Sequence, residues 1–210
     1  MTDSTPRPLF RLPIIWIVGL VIVAFFVALA ITSGGDEAPD EPTNARQTAT
    51  ITVEGAALPP LADPDPAIGT VVPTLTGSTA DGRPLSIAPG TARVYSFFAH
   101  WCPHCQRELP ELTSWLDDGL AAEGVEVVAV STAISPDRDN YPPSAWFAEV
   151  GYPDDYLVDS PDSTAAQAFG LVAFPYWVVA DGEGRVVLRL TGQVTEEQFI
   201  TMTQLAAVGP

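Results

Sequence analysis

The stretch ARVYSFFAHWCPHCQRELP, residues 92–110, decides the fold of this chain. Its first eight residues, Ala92–Ala99, form an apolar and aromatic run that predicts a buried β-strand. A Cys-Pro-His-Cys turn follows directly, and residues 106–124 have the apolar spacing of a helix. The next run, VEVVAVST at Val125–Thr132, is short and β-branched, which indicates a buried parallel strand. The order strand, helix, strand predicts a right-handed βαβ crossover.

The rest of the chain alternates between predicted strands and helices. Helix boundaries are indicated by a proline near the start of one helix, by a glycine after another and by acids in the first turn of the last helix. In chain order the predicted elements are a loop at 134–143, a helix from Pro143, a short strand at 155–159, a helix at 163–170, a hairpin from Tyr176 to Gly192 and a last helix capped by Thr195.

Composition limits the possible partners. The 210 residues suffice for one ordinary domain, and the net charge is -17, with nine basic residues that are all arginine. Binding to nucleic acid requires a basic face, so nucleic acid is excluded as a partner. The acidity indicates a solvated carboxylate surface rather than a specific cationic ligand.

Residues 13–31, PIIWIVGLVIVAFFVALAI, predict a single transmembrane helix. The segment is uncharged and as a helix would span about 27 Å, close to the thickness of a bilayer core. Arg7 and Arg11 precede it and four acids follow it, so residues 1–12 are expected in the cytoplasm and the C-terminal domain outside. The alternative is a signal peptide cleaved near Ala30. Both lead to an extracytoplasmic space in which disulfides persist.

Residues 32–67 have the composition of an acidic, proline-rich linker. Such a segment cannot bury enough apolar surface to offset the entropy of ordering. Within it, TATITVEGAAL at 48–58 alternates in polarity and can add a short strand. The globular domain is then predicted over residues 68–210.

Cys102 and Cys105 are the only cysteines, and three kinds of site were weighed for them. A structural disulfide is disfavoured because a loop of four residues would contribute only about 2 kcal/mol. A metal site is disfavoured because the only histidines, His100 and His104, lie in the same short stretch, where four ligands cannot easily be tetrahedral. A redox centre is compatible with every residue next to the two cysteines. We therefore predict no metal and no cofactor other than a redox-active disulfide between Cys102 and Cys105.

The redox interpretation assigns a role to each residue of the motif. Cys102 at a helix N-terminus should be an exposed nucleophile, because helix amides stabilise its thiolate. Pro103 fits the first helical position, and His104 adds a donor, or a positive charge when protonated. Cys105 can resolve a mixed disulfide. Trp101 supplies an apolar platform for the substrate or simply packs.

These residues resemble the thioredoxin fold, a central mixed β-sheet flanked by helices, here preceded by the transmembrane helix. WCPHC after a hydrophobic strand, with Pro110 inside the helix, is one signature of that fold, and VAFPYWVVADGEGRVV is another. The resemblance implies that Pro175 has a cis peptide bond and faces the cysteines. It also implies that the backbone of Phe174 binds a substrate peptide in the manner of a strand.

More narrowly, the membrane anchor, the acidic linker and CQRELPEL resemble the TlpA/ResA-like extracytoplasmic thiol-disulfide oxidoreductases. That resemblance implies that Glu108 belongs to the active site, where a partly buried carboxylate can exchange a proton with the resolving thiol. It implies protein thiols or disulfides as substrates, a membrane redox partner, and a reductant role such as cytochrome c maturation.

Two alternative functions remain open from the sequence. The Pro-His pair between the cysteines is the pair found in DsbA. The first alternative is therefore a DsbA-like protein that oxidises secreted proteins. The second is a tethered binding or metal-handling module without turnover.

Overall fold

The structure is a computed structural model that describes residues 45–209. The predicted transmembrane helix at 13–31 and the first part of the predicted linker lie outside these residues. Within residues 45–209, no helix is both long and apolar enough to cross a bilayer.

A mixed β-sheet forms the centre of the domain, with the strand order β1-β2-β6-β5-β4-β7-β8 and β3 paired to β2. Strands β4, β5 and β6 are parallel, whereas β7 and β8 join the sheet antiparallel. The strands are β1 Thr52–Glu54, β2 Thr74–Ser78, β3 Pro84–Ile87, β4 Arg93–Phe98, β5 Glu126–Ser131, β6 Leu157–Val158, β7 Tyr176–Ala180 and β8 Val186–Thr191.

Within the described part of the chain, four helices accompany this sheet: α1 Pro103–Asp117, α2 Pro143–Val150, α3 Thr164–Ala168 and α4 Glu196–Val208. Helix α1 connects the parallel strands β4 and β5, as the βαβ pattern predicts. Helix α4 begins with a capping box between Thr195 and Gln198, which satisfies amides that the first turn leaves unpaired. The predicted α/β thioredoxin-like fold with a mixed sheet is therefore confirmed for the described residues.

Strand β4 is buried along its whole length because it lies in the middle of the sheet. Its side chains alternate between two apolar clusters, one on each face. Val94 and Phe98 pack with residues of α1 and α4, whereas Tyr95 and Phe97 pack with Phe169 on the opposite face. This double burial holds the C-terminal end of β4, where the cysteine motif begins, in a fixed position.

The structure differs from the predicted boundary at residue 68, because residues 45–67 pack against the domain. Strand β1 pairs with β2, which realises the short strand considered for residues 48–58. Leu58 is buried, and Asp65 forms an ion pair with the buried guanidinium of Arg189. Arg189 lies 124 residues away in sequence, so local composition could not reveal this partner.

Candidate active site

Cys102 lies at the junction of β4 and α1 and is the N-cap residue of the helix. Its backbone is extended, its N–H donates to the carbonyl of Ala99 at 3.0 Å, and Pro103 begins the helix. Both cysteines are free thiols. Only 7% of Cys102 is exposed, so the sulfur is more enclosed than the prediction of an exposed nucleophile.

Cys105 lies one turn further along α1 and is fully buried. Burial raises the pKa of its thiol well above the ordinary value, and a hydrogen bond with the Ala99 backbone only partly opposes this rise. The charges of Cys102 and Glu108 raise it further. Cys105 is therefore protonated at neutral pH and needs a base before it can attack a disulfide.

Glu108 is a buried carboxyl group on the same helix, three residues after Cys105. Its Oε1 accepts from the Val194 N–H at 2.9 Å, whereas its Oε2 is buried without a hydrogen-bond partner. Burial raises the pKa of Glu108 to about 7, the nearby charge of Glu111 adds to the rise, and Val194 and Gln193 oppose it. Near neutral pH the group can therefore both accept and release a proton.

His104 is exposed on the first turn of α1. Its Nδ1 lies 3.0 Å from Nη2 of Arg107 and 3.3 Å from Oε1 of Gln193. Among residues 45–209, these are the hydrogen-bond contacts of the ring, and none of them joins it to the sulfur of Cys102.

Trp101, Phe174 and Pro175 bring a second loop to the cysteine turn. The rings of Trp101 and Phe174 meet edge to face, with 6.0 Å between their centroids, and the Phe174–Pro175 bond is cis. Pro103 is exposed, whereas Pro175 is buried. All eight predicted site residues thus belong to the cysteine turn, to helix α1 or to the adjoining 174–175 loop, while their roles remain predictions.

Sequence reasoning missed His100 as a structural element, since it considered that residue only as a metal ligand. His100 is fully buried; its Nε2 accepts from the Ser135 N–H at 3.1 Å and its Nδ1 donates to the Asp139 carbonyl at 2.7 Å. Burial lowers the pKa of His100, and the Arg138 charge contributes to this while the Asp139 carbonyl opposes it. The ring therefore holds the loop between β5 and α2 against the active site.

That loop also supplies a cation that the sequence did not identify. The guanidinium of Arg138 lies 4.2 Å from the centroid of the Trp101 ring, in a cation–π arrangement. The Trp101 indole in turn donates to the Ala133 carbonyl at 2.8 Å. No local sequence signal predicts these contacts, because their partners are more than thirty residues apart.

Comparisons with known proteins agree with this geometry. The model of the Redoxin family matches residues 61–206. Thiol:disulfide interchange protein HelX of Rhodobacter capsulatus is 29% identical over 121 residues, which cover 58% of this chain and 64% of HelX. Thiol-disulfide oxidoreductase ResA of Geobacillus thermodenitrificans is 27% identical over 135 residues, which cover 63% of this chain and 74% of ResA.

Solved structures show the same fold. The crystal structure of StoA from Bacillus subtilis superposes with a TM-score of 0.53 at 22% identity, covering 66% of this chain and 99% of StoA. A thiol:disulfide interchange protein from Chlorobium tepidum superposes with a TM-score of 0.55 at 25% identity, covering 66% of this chain and 96% of that protein. Together with the Redoxin family match and the relatives HelX and ResA, these structures confirm the predicted resemblance to TlpA/ResA-like thiol-disulfide oxidoreductases.

Proposed function

Because this chain belongs to the Redoxin family, we propose that it is an extracytoplasmic thiol-disulfide oxidoreductase acting on cysteines of other proteins. The observation that carries the proposal is the buried carboxyl of Glu108, whose pKa is about 7, on the same helix as the buried thiol of Cys105. A protonated resolving thiol beside a group that exchanges protons near neutrality is the arrangement that dithiol chemistry needs.

The first step in the reductant direction is attack by the Cys102 thiolate on a substrate disulfide. The bond between the two substrate sulfurs breaks, one substrate thiolate leaves, and a mixed disulfide forms at Cys102. Trp101 precedes Cys102 in the chain and its ring meets that of Phe174, so we assign substrate binding to Trp101 and to the Phe174–Pro175 loop, with Pro103 at the exposed edge of the turn.

The second step is resolution of the mixed disulfide by Cys105. Glu108 takes the thiol proton, the Cys105 thiolate attacks the sulfur of Cys102, and the second substrate thiol is released. The substrate sulfurs leave as thiolates and take up one proton from Glu108 and one from solvent, so the substrate gains two electrons and two protons and the enzyme is left with a Cys102–Cys105 disulfide. A membrane redox partner that carries a dithiol would then reduce the enzyme by the same exchange in reverse.

We propose the reductant direction, with apocytochrome c as a candidate substrate, and a membrane anchor formed by residues 13–31. The opposite direction, oxidation of secreted proteins, is favoured by one observation, the Pro-His pair between the cysteines. A more stabilised Cys102 thiolate makes the couple more oxidising, with about 30 mV for each 1.4 kcal/mol.

Redox equilibrium with glutathione tests the direction. The full-length chain, kept in mild detergent, is equilibrated at pH 7 in buffers of different ratios of reduced to oxidised glutathione, and the free thiols are counted. A potential near that of thioredoxin, about −270 mV, supports the reductant, whereas one near that of DsbA, about −120 mV, refutes it.

Trapping in the native host tests the reaction itself. Cys105→Ser should accumulate mixed disulfides at Cys102 that dithiothreitol dissolves, and Cys102→Ser is the matched control that should form none. If both variants trap nothing, the chain does not exchange disulfides with proteins.

A further inference from the structure

Residues 192–194, the strap between β8 and α4, contact three predicted site residues at once. The Gly192 N–H donates to the Pro175 carbonyl at 2.9 Å. The side chain of Gln193 reaches His104, and the Val194 N–H donates to Glu108. The strap thus joins the 174–175 loop to the buried carboxyl of Glu108.

Gln193 is the exposed member of the strap and is held in place from α1. Both Nε and Nη2 of Arg107 donate to its Oε1, at 3.2 and 3.1 Å. A guanidinium carries only donors, so these two bonds fix the amide with its oxygen toward Arg107. The NH₂ group of the amide is then directed away from Arg107 and left free to donate.

Glu108 lacks a hydrogen-bond donor on one of its two carboxylate oxygens. It is fully buried, and its Oε2 has no hydrogen-bond partner. The neighbouring backbone amide, Val194 N–H, already serves Oε1, and the Gln193 side chain lies close enough to favour the charged carboxylate. The Gln193 amide is therefore a polar group next to a buried carboxylate that ionises in the proposed resolving step.

Among the described residues, the charged and titratable groups around Glu108 come from its own helix. They are Cys105 and Glu111, with Arg107 acting through Gln193. The strap contributes only the uncharged amide of Gln193 and the N–H of Val194. An effect of the strap on proton transfer must therefore come from hydrogen bonding and not from a nearby charge.

We infer that Gln193 is a positioning residue for the disulfide-exchange reaction: anchored by Arg107, it covers Glu108 and stabilises the carboxylate that deprotonates Cys105. The inference rests on the proposed function for its catalytic meaning. Loss of the amide removes a nearby polar group that favours the charged carboxylate, so Glu108 holds its proton to higher pH and resolution by Cys105 becomes slower at neutral pH.

The test is the titration of Glu108 in the reduced full-length protein, followed by NMR of glutamate labelled at the carboxyl carbon. The signal is assigned by its disappearance in Glu108→Gln. In Gln193→Leu, which keeps the size of the side chain, the titration midpoint should rise by about half a unit to one unit. Gln204→Leu, an exposed glutamine of α4, is the matched control and should leave the midpoint in place.

A second variant separates positioning from general stability. Arg107→Gln releases the amide of Gln193, so it should move the midpoint in the same direction by a smaller amount. The double variant should match Gln193→Leu alone, because the guanidinium acts through the amide. Unchanged midpoints in both single variants, or additive shifts in the double variant, would overturn the inference.

The kinetic readout distinguishes this inference from the proposed function. With a small disulfide as substrate, Gln193→Leu should shift the pH profile of the resolving step to higher pH by the same amount as the midpoint. If the wild-type chain reduces no disulfide at all while the Glu108 midpoint still moves in Gln193→Leu, the proposed function fails and the positioning of Glu108 stands. An active enzyme with an unmoved midpoint refutes only the positioning role.

Discussion

Glu108 gives the sharpest prediction, because a buried carboxyl with a raised pKa weakens the fold wherever it is ionised. Its pKa is about 7 in the folded protein, against an ordinary value of 4.5. The unfolded chain therefore loses this proton at lower pH than the folded chain does. Stability is unaffected by this group below pH 4.5, falls between pH 4.5 and 7, and stays low above pH 7.

The expected change in unfolding free energy follows from the difference between a pKa of about 7 in the folded protein and 4.5 in the unfolded chain. At roughly 1.4 kcal/mol for each unit, ionisation of Glu108 costs the fold about 3 kcal/mol at pH 8, and about 2 kcal/mol already at pH 6. Glu108→Gln removes this dependence on pH. The amide at position 108 of this variant also places an N–H donor where Oε2 of Glu108 has no partner. This changes the unfolding free energy of the variant by about 1–3 kcal/mol, and the change does not vary with pH.

The assay is urea unfolding of the reduced protein at several pH values from 4 to 9, for wild type and for Glu108→Gln. The difference in unfolding free energy between the two should change by about 3 kcal/mol in favour of the variant over this range. Glu149→Gln, at an exposed position of α2, is the control and should show a constant difference. A difference for Glu108→Gln that also stays constant would refute a buried, neutral Glu108.

Three further outcomes are expected. His100→Phe should lower the unfolding free energy by about 1 kcal/mol, since it removes the hydrogen-bond partner of a partly buried N–H and of a carbonyl in the β5–α2 loop. Urea unfolding measures this, and an unchanged midpoint would contradict the role of His100 in holding that loop. Arg189→Met should destabilise the domain by about 3–5 kcal/mol, because Asp65 loses its buried partner, whereas Arg83→Gln, which removes only exposed ion pairs, should have a much smaller effect. Equal effects in thermal unfolding would contradict the packing of residues 45–67. Arg138→Gln should leave the redox potential unchanged but raise KM for protein substrates more than it changes kcat, and a changed potential would contradict a role confined to the Trp101 surface.

Much of the fold could be predicted because its signals are local. The apolar run of β4, the proline after Cys102 and the capping residue Thr195 each act on neighbours within one or two turns of chain. The same holds for the cysteine pair, whose four-residue spacing and position before a helix indicate redox chemistry without any tertiary information.

The side chains that surround the cysteines could be identified only from the tertiary structure. Val194 reaches Glu108 across 86 residues of sequence, and His100 meets its loop across 35 and 39. The burial of a polar side chain depends on what packs over it, and a glutamate at this position in α1 has the same local sequence whether exposed or buried. Burial in the folded domain raises the pKa of Glu108 to about 7, although the Val194 N–H and Gln193 oppose the rise.

The sequence by itself determined that the chain has an α/β domain with a reactive cysteine at a helix N-terminus, because those features depend on periodicity and spacing. The tertiary structure decided that residues 45–67 pack on the domain, how far Cys102 is enclosed, and that the Val194 N–H bonds to Glu108. Each of these depends on desolvation and on hydrogen bonds between distant segments, and such contacts exist only after the chain has folded.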